Sequence, residues 1–156
     1  AKANSARLVA GYCWPWSNPK SDGTLVNDVI IDDFAMPWEA RDGFALKRGI
    51  PKWYQWAYKP GGIDQVGCIY TVQGFEFEYI GVIFGEDFKY NPKTDKLEGN
   101  IKATCDRTLK KKADFFETYV RNIYRVLMTR GLKGCYLYFV DKETEKYFRS
   151  RMNVNK

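Results

Sequence analysis

The strongest periodicity in the chain lies at positions 113–129, where Phe115, Phe116, Tyr119, Val120, Ile123, Tyr124, Leu127 and Met128 recur at i, i+1, i+4 and i+5. That spacing collects the apolar side chains on one face and predicts an amphipathic helix, stopped by Gly131. Continuous apolar runs predict strands at 7–12, 66–71, 79–84 and 135–140, with shorter runs at 29–31 and 53–58. Asp141 is placed to cap a last helix running to about Arg149. Between these elements, 14–28 holds Pro15, Asn18, Pro19, Gly23 and Asn27 and reads as a loop. Pro37, Gly43, Gly49 and Pro51 leave room for one-turn helices at most in 34–52, and Pro60-Gly61-Gly62 marks a turn. The polar stretch 86–108 contains Asn91-Pro92-Lys93-Thr94-Asp95 and predicts a projecting loop or hairpin, a candidate flexible insertion outside the core. Strands apolar on both faces, separated by helices and long connections, predict an open α/β sheet in one domain of 156 residues.

Composition narrows the chemistry more than the fold. The chain has no histidine, which excludes Ser-His-Asp and Cys-His catalysis, histidine-ligated zinc and histidine-based nuclease sites. Cys13, Cys68, Cys105 and Cys135 contain no C-x-x-C pair, so they read as reduced, mostly buried thiols. A net charge of +6 favours an anionic partner. Aromatics at 17% of the chain exceed what a small core needs, so some are expected to meet bases or a neighbouring domain. No uncharged apolar run nears the ~18 residues that cross a bilayer, and the opening Ala1-Lys2-Ala3-Asn4 has no signal-like character. A cytoplasmic fragment of a longer protein is the expectation.

Two segments carry candidate chemistry. In the first, 66–83, an apolar run enters Thr71-Val72-Gln73-Gly74-Phe75-Glu76-Phe77, and a second apolar run follows at once. Glycine there lets the backbone approach a ligand, while Gln73 and Glu76 put an amide and a carboxylate on one turn suited to a ribose or a phosphate. A plain strand connection with Glu76 solvated fits equally well. In the second, Arg130 ends the periodic helix, turned away from its apolar stripe. Its guanidinium can serve a phosphate or complement the helix dipole by ~0.3–1 kcal/mol. Trp14 and Trp16, near Lys20, can stack bases, with Arg7 beside them as a candidate for the nucleic-acid backbone, or the indoles can pack into their loop; Lys110-Lys111-Lys112, Arg149 and Arg151 can meet phosphates or water. Val29-Ile30-Ile31-Asp32-Asp33 imitates an acidic magnesium-holding strand end, but no glycine is followed by lysine, so G-x-x-x-x-G-K-[ST] is absent and the segment reads as a strand end.

The first segment resembles motif V of superfamily 1 helicases, and Tyr124-Arg125-Val126-Leu127-Met128-Thr129-Arg130-Gly131 resembles motif VI, in the same order. Arg7 to Trp16, Trp56-Ala57-Tyr58, 65–85 and 122–139 are similar to an uncharacterised bacterial family of helicase-like ATPases related to the Schlafen helicase domain. The resemblance implies a three-layer RecA-like domain of P-loop NTPase type without its own phosphate loop. Residues 1–156 would form the C-terminal part of the second such domain, since an Arg-bearing motif IV is not found. It implies ATP and Mg²⁺ bound only together with a first RecA-like domain upstream in the same polypeptide, and no metal ligand from this chain. Arg130 would be the arginine finger toward the γ-phosphate, Glu76 would accept from the ribose, and Gln73 and Gly74 would line the cleft. Tyr70, where helicases often carry histidine, and Thr71 would face the backbone of single-stranded DNA or RNA. Alone the chain would hydrolyse nothing. An ATP-independent nucleic-acid-binding module is the rival reading; a nuclease is disfavoured because Asp32, Asp33, Glu76 and Glu78 form no D…E-x-K pattern.

Overall fold

The computed structural model describes residues 6–152. In chain order the strands are β1 (Ala6–Ala10), β2 (Val29–Ile31), β3 (Phe34–Met36), β4 (Val66–Gly67), β5 (Phe77–Phe84), β6 (Phe88–Asn91), β7 (Lys96–Gly99) and β8 (Gly131–Phe139). The helices are α1 (Ile69–Val72), α2 (Arg107–Lys110), α3 (Phe116–Met128) and α4 (Lys142–Met152). Strands β4, β1, β5 and β8 form one sheet in that order, and every pairing in it is parallel. The protein is therefore α/β, consistent with a Rossmann- or RecA-like fold. Among the described residues, no helix is long and apolar enough to cross a membrane.

Strand pleating sorts the core into two halves. Val9, Ile80, Val82 and Phe84 point to one face, where Phe116, Val120, Tyr124 and Leu127 of α3 meet them at helical spacing. Each such fully buried aliphatic side chain is worth ~1.5–3 kcal/mol relative to exposure. On the other face Ala10, Val66 and Ile83 lie under Val29 and Trp38, beside the β2–β3 ribbon. Asp32 and Asp33 form the exposed turn of that ribbon, Asp32 at φ 51°.

Several local expectations are overturned. Positions 53–58 form a 3₁₀ turn (Trp53–Gln55) rather than a strand, because Trp56 is drawn into the core and its indole N–H donates to the Gln65 carbonyl. The apolar run from Val66 stays extended for only two residues. Thr71 Oγ1 then accepts the Cys68 N–H at 3.1 Å and starts α1. The 86–108 segment contains the expected hairpin, β6–β7, but it does not stand clear of the core: it buries Phe88, and Tyr90 stacks on Tyr147 of α4 at 4.5 Å. Strand β8 begins at Gly131, directly after α3, with a register irregularity opposite Phe77–Tyr79. All four thiols are free, but only Cys68 is buried; Cys13 and Cys105 are half-buried and Cys135 is exposed.

Candidate functional site

At the amino end of the sheet, α1 stops at Val72 and the chain turns through Gln73 and Gly74. Gly74 has φ +82° with open space where a Cβ would stand, so backbone conformation rather than crowding requires glycine. Gln73, Gly74, Phe75 and Glu76 are exposed, whereas Phe77 enters the core. The Phe77 N–H donates to the Arg130 carbonyl at 2.8 Å, and Phe77 pairs with Gly131. Glu76 and Arg130 thus precede the first residues of two adjacent strands. The sequence-predicted residues Gln73, Gly74, Glu76 and Arg130 share one edge.

Arg130 is half-buried, and its Nε donates to the Val126 carbonyl at 3.1 Å while Nη2 donates to Thr129 Oγ1 at 3.2 Å. The Val126 carbonyl also accepts the Thr129 N–H and hydroxyl, so Arg130 adds a cation near the helix C-terminus and the favourable dipole interaction is present as well. Among the described residues, no carboxylate lies within ion-pair reach of Arg130, and the Gln73 and Glu76 side chains have no hydrogen-bond partner. The edge presents a cation, an amide and a carboxylate with unused bonding capacity.

The residues expected to meet nucleic acid scatter. Arg7 is a correction: it is 2% exposed, with Nε donating to the Trp56 carbonyl at 2.9 Å, Nη2 to the Lys59 carbonyl at 2.9 Å and Nη1 to the Ala6 carbonyl at 2.7 Å. It lies over the Trp56 and Phe77 rings, and burial lowers its pKa. A guanidinium so enclosed holds the 56–59 turn to β1 and is closed to phosphate. Thr71 is buried too, its hydroxyl within 3.2 Å of Glu39 Oε1. Trp14 donates to the Ile30 carbonyl and tilts against Trp38, so it serves loop packing.

Tyr70 and Trp16 do come together, at the carboxyl ends of β4 and β1. They line a cleft of about 680 Å³ with Tyr12, Arg41, Arg107 and Lys110. The Cys105 N–H donates to the Tyr12 carbonyl and ties α2 to the end of β1. Asp106 caps α2 by accepting the N–H groups of Thr108 and Leu109. Tyr70 is 52% exposed and its hydroxyl donates to Asp106 Oδ2 at 2.5 Å; burial and this carboxylate raise its pKa. Arg41 donates to the Trp16 carbonyl and lies over the Trp16 ring. Among the described residues, Arg41, Arg107 and Lys110 have no ion-pair partner. Arg41 and Arg107 went unnoticed in the sequence; Lys110 stood only in a lysine run.

Beneath α1 lies Glu39, 1% exposed, whose Oε1 accepts from Cys68 Sγ at 3.1 Å. Its Oε2 has no partner among the described residues. Burial pushes this carboxyl up to about 7, opposed by its hydrogen bonds from Cys68 and Thr71. A second buried acid, Asp87, accepts the Tyr124 hydroxyl at 2.6 Å, and that hydroxyl accepts the Gly85 N–H at 2.8 Å. Burial raises the Asp87 pKa as well. No group of histidine, cysteine, aspartate and glutamate among the described residues is arranged to hold a metal ion.

Residues 1–141 match the family described as Schlafen group 3, DNA/RNA helicase domain. A relative from Saccharomyces cerevisiae, "Uncharacterized protein YPL245W", is 31% identical over 144 residues, covering 88% of this chain and 30% of its own length. The chain thus spans less than a third of that relative. No solved structure matches it.

Proposed function

The chain belongs to the Schlafen group 3 DNA/RNA helicase-domain family, and from that premise we propose that it is the second RecA-like half of an ATP-driven helicase or translocase. In this reading it lends Arg130 and the Gln73–Glu76 turn to a nucleotide site shared with a first RecA-like domain of the same polypeptide. The observation that carries it is the meeting of Arg130 and Glu76 at the starts of two hydrogen-bonded strands.

The residues fit the receiving half of such a site and not a complete one. No phosphate loop is present, yet a cation, an amide and a carboxylate with spare bonding capacity face outward together. ATP with Mg²⁺, gripped by the partner domain, supplies the phosphoanhydride bond. Arg130 would reach the terminal phosphate by exchanging its hydrogen bonds to a neutral carbonyl and a neutral hydroxyl for bonds between opposite charges. Glu76 accepts a ribose hydroxyl, and Gly74 lets the backbone come close. The cleft at the opposite end offers cations to phosphates and the rings of Tyr70 and Trp16 to bases. The continuous segment 68–76 joins cleft and edge, and Glu39 clamps its middle. The test is ATP turnover of the longer gene product: Arg130→Ala lowers it by ~10³-fold or more with folding intact, and unchanged turnover sinks the assignment.

The cleft favours a second reading, because it lies wholly within this chain whereas the nucleotide edge is half a site. As an ATP-independent module the chain would bind single strands with an affinity falling steeply with salt, and the longer product would show no ATPase.

A further inference from the structure

Glu39 touches each stretch of chain that carries Tyr70, Trp16 and Arg41 into the cleft. Its N–H donates to the Val66 carbonyl of β4 at 2.9 Å, and its own carbonyl accepts the Trp16 indole N–H at 2.8 Å. Arg41, two residues on, lies over the Trp16 ring. The Glu39 carboxyl holds the start of α1 on both sides of Tyr70, with Oε1 at 3.1 Å from Cys68 Sγ and 3.2 Å from Thr71 Oγ1. The Thr71 hydroxyl has one proton and two acceptors, since the Cys68 carbonyl lies 3.1 Å from it. Oε2 has no partner among the described residues. An ionised carboxylate in this place leaves one oxygen bare in the interior, so the enclosure favours the neutral acid.

Resting on the reading of this cleft as a site for single strands, we propose that Glu39 is its positioning residue and couples the cleft's grip on phosphates to the uptake of a proton. Neutral Glu39 leaves the Thr71 proton to the Cys68 carbonyl, which fixes the turn carrying Tyr70, and leaves the charges of Arg41, Arg107 and Lys110 undiminished. Ionised Glu39 draws that proton to Oε1 and sets a negative charge beneath the three cations. A strand therefore binds more tightly to the neutral form, and by reciprocity a bound strand favours the proton. Burial raises this carboxyl to about 7, so it changes form between pH 6 and 8. The chain has no histidine, the side chain that ordinarily titrates in that range. Around Glu39, the Cys68 thiol is raised well above its usual value by burial, Tyr12 is pushed up to about 12 by burial, and Tyr70 is raised by burial and by Asp106. Asp106 is held by the Tyr70 hydroxyl and the N–H groups of Thr108 and Leu109, and Cys105 Sγ donates to the Cys13 carbonyl.

The test is the affinity of the 156-residue chain for a fluorescent single-stranded oligonucleotide without terminal phosphates, measured from pH 6 to 8 at fixed ionic strength. The wild type weakens by about fivefold or more across that range. Glu39→Gln, whose amide oxygen accepts from Cys68 and Thr71 without ionising, holds at pH 8 the affinity it has at pH 6. Asp87→Asn, which removes the other buried acid, keeps the wild-type fall. Calorimetry of the wild type in two buffers of different ionisation enthalpy needs no variant: near pH 7 binding takes up a fraction of a proton. Binding with a flat wild-type profile overturns the inference and leaves the cleft as a strand site, and so does binding without proton uptake. An equal fall in a folded Glu39→Gln protein assigns the effect to another group and overturns it too. No binding at any pH overturns the cleft reading itself, and the coupling with it.

Discussion

Arg7 and Arg130 belong to one sheet and have opposite fates. Arg7, on β1, gives its three kinds of N–H to three backbone carbonyls, the Trp56 bond fully buried and those to Ala6 and Lys59 partly so, and lies over the Trp56 and Phe77 rings. Arg130, at the mouth of β8, keeps its position through Val126 and Thr129 and shares a sheet edge with Gln73 and Glu76, whose exposed side chains have no hydrogen-bond partner among the described residues. The fold has consumed the first guanidinium and positioned the second without using it up. Residual bonding capacity, rather than residue type, marks the edge proposed as the site, and the same criterion separates Thr71, buried under Glu39, from Tyr70, exposed in the cleft.

Substitutions at the two arginines should therefore separate activity from stability. The largest effect is on turnover: Arg130→Ala in the longer product removes ~10³-fold or more of ATP hydrolysis and costs only about 1 kcal/mol of stability, the loss of its contacts at the helix end. Arg7→Ala does the reverse, costing on the order of 3 kcal/mol in denaturant unfolding because it leaves the buried Trp56 carbonyl without its donor and empties the space the side chain fills. Glu39 sharpens the contrast through pH. Its carboxyl is raised from 4.5 to about 7 in the folded protein, so its contribution to stability is fully present below about pH 4.5 and is lost as pH rises through about 7. Glu39→Gln should abolish up to roughly 3 kcal/mol of that decline, read as the difference between the two unfolding profiles from pH 5 to 8. Asp87 shifts in the same direction but persists in both proteins, so it cancels from the difference. Tyr124→Phe, which leaves Asp87 and the Gly85 N–H without the shared hydroxyl, is expected to cost about 1–3 kcal/mol.

What could be read from the sequence follows how local its cause is. Helix α3 and the cation at its end were legible because a 3.6-residue period needs only its own residues. The turn before β5 was legible because a φ of +82° demands glycine. Arg7 was misread because the carbonyls that enclose it belong to Trp56 and Lys59, 49 and 52 positions away. Glu39 stayed hidden for the same reason: Cys68 and Thr71 lie 29 and 32 positions on. The Val66–Thr71 run looked extended because its β-branched residues suit strands; the Thr71 hydroxyl on the Cys68 N–H, with the Thr71 and Val72 N–H groups on the Cys68 carbonyl, turns it into a helix. Arg41 and Arg107 gave no warning, since they come to line one cleft only when α2 is tied to β1 through Cys105 and Tyr12.

The most direct test of the account is a crystal structure of the longer gene product with ADP, Mg²⁺ and aluminium fluoride. The account predicts the Arg130 guanidinium within about 3 Å of the fluoride group, released from Val126, with Glu76 on the ribose. Arg130 still bonded to Val126, with the fluoride group contacted by other residues, would contradict it.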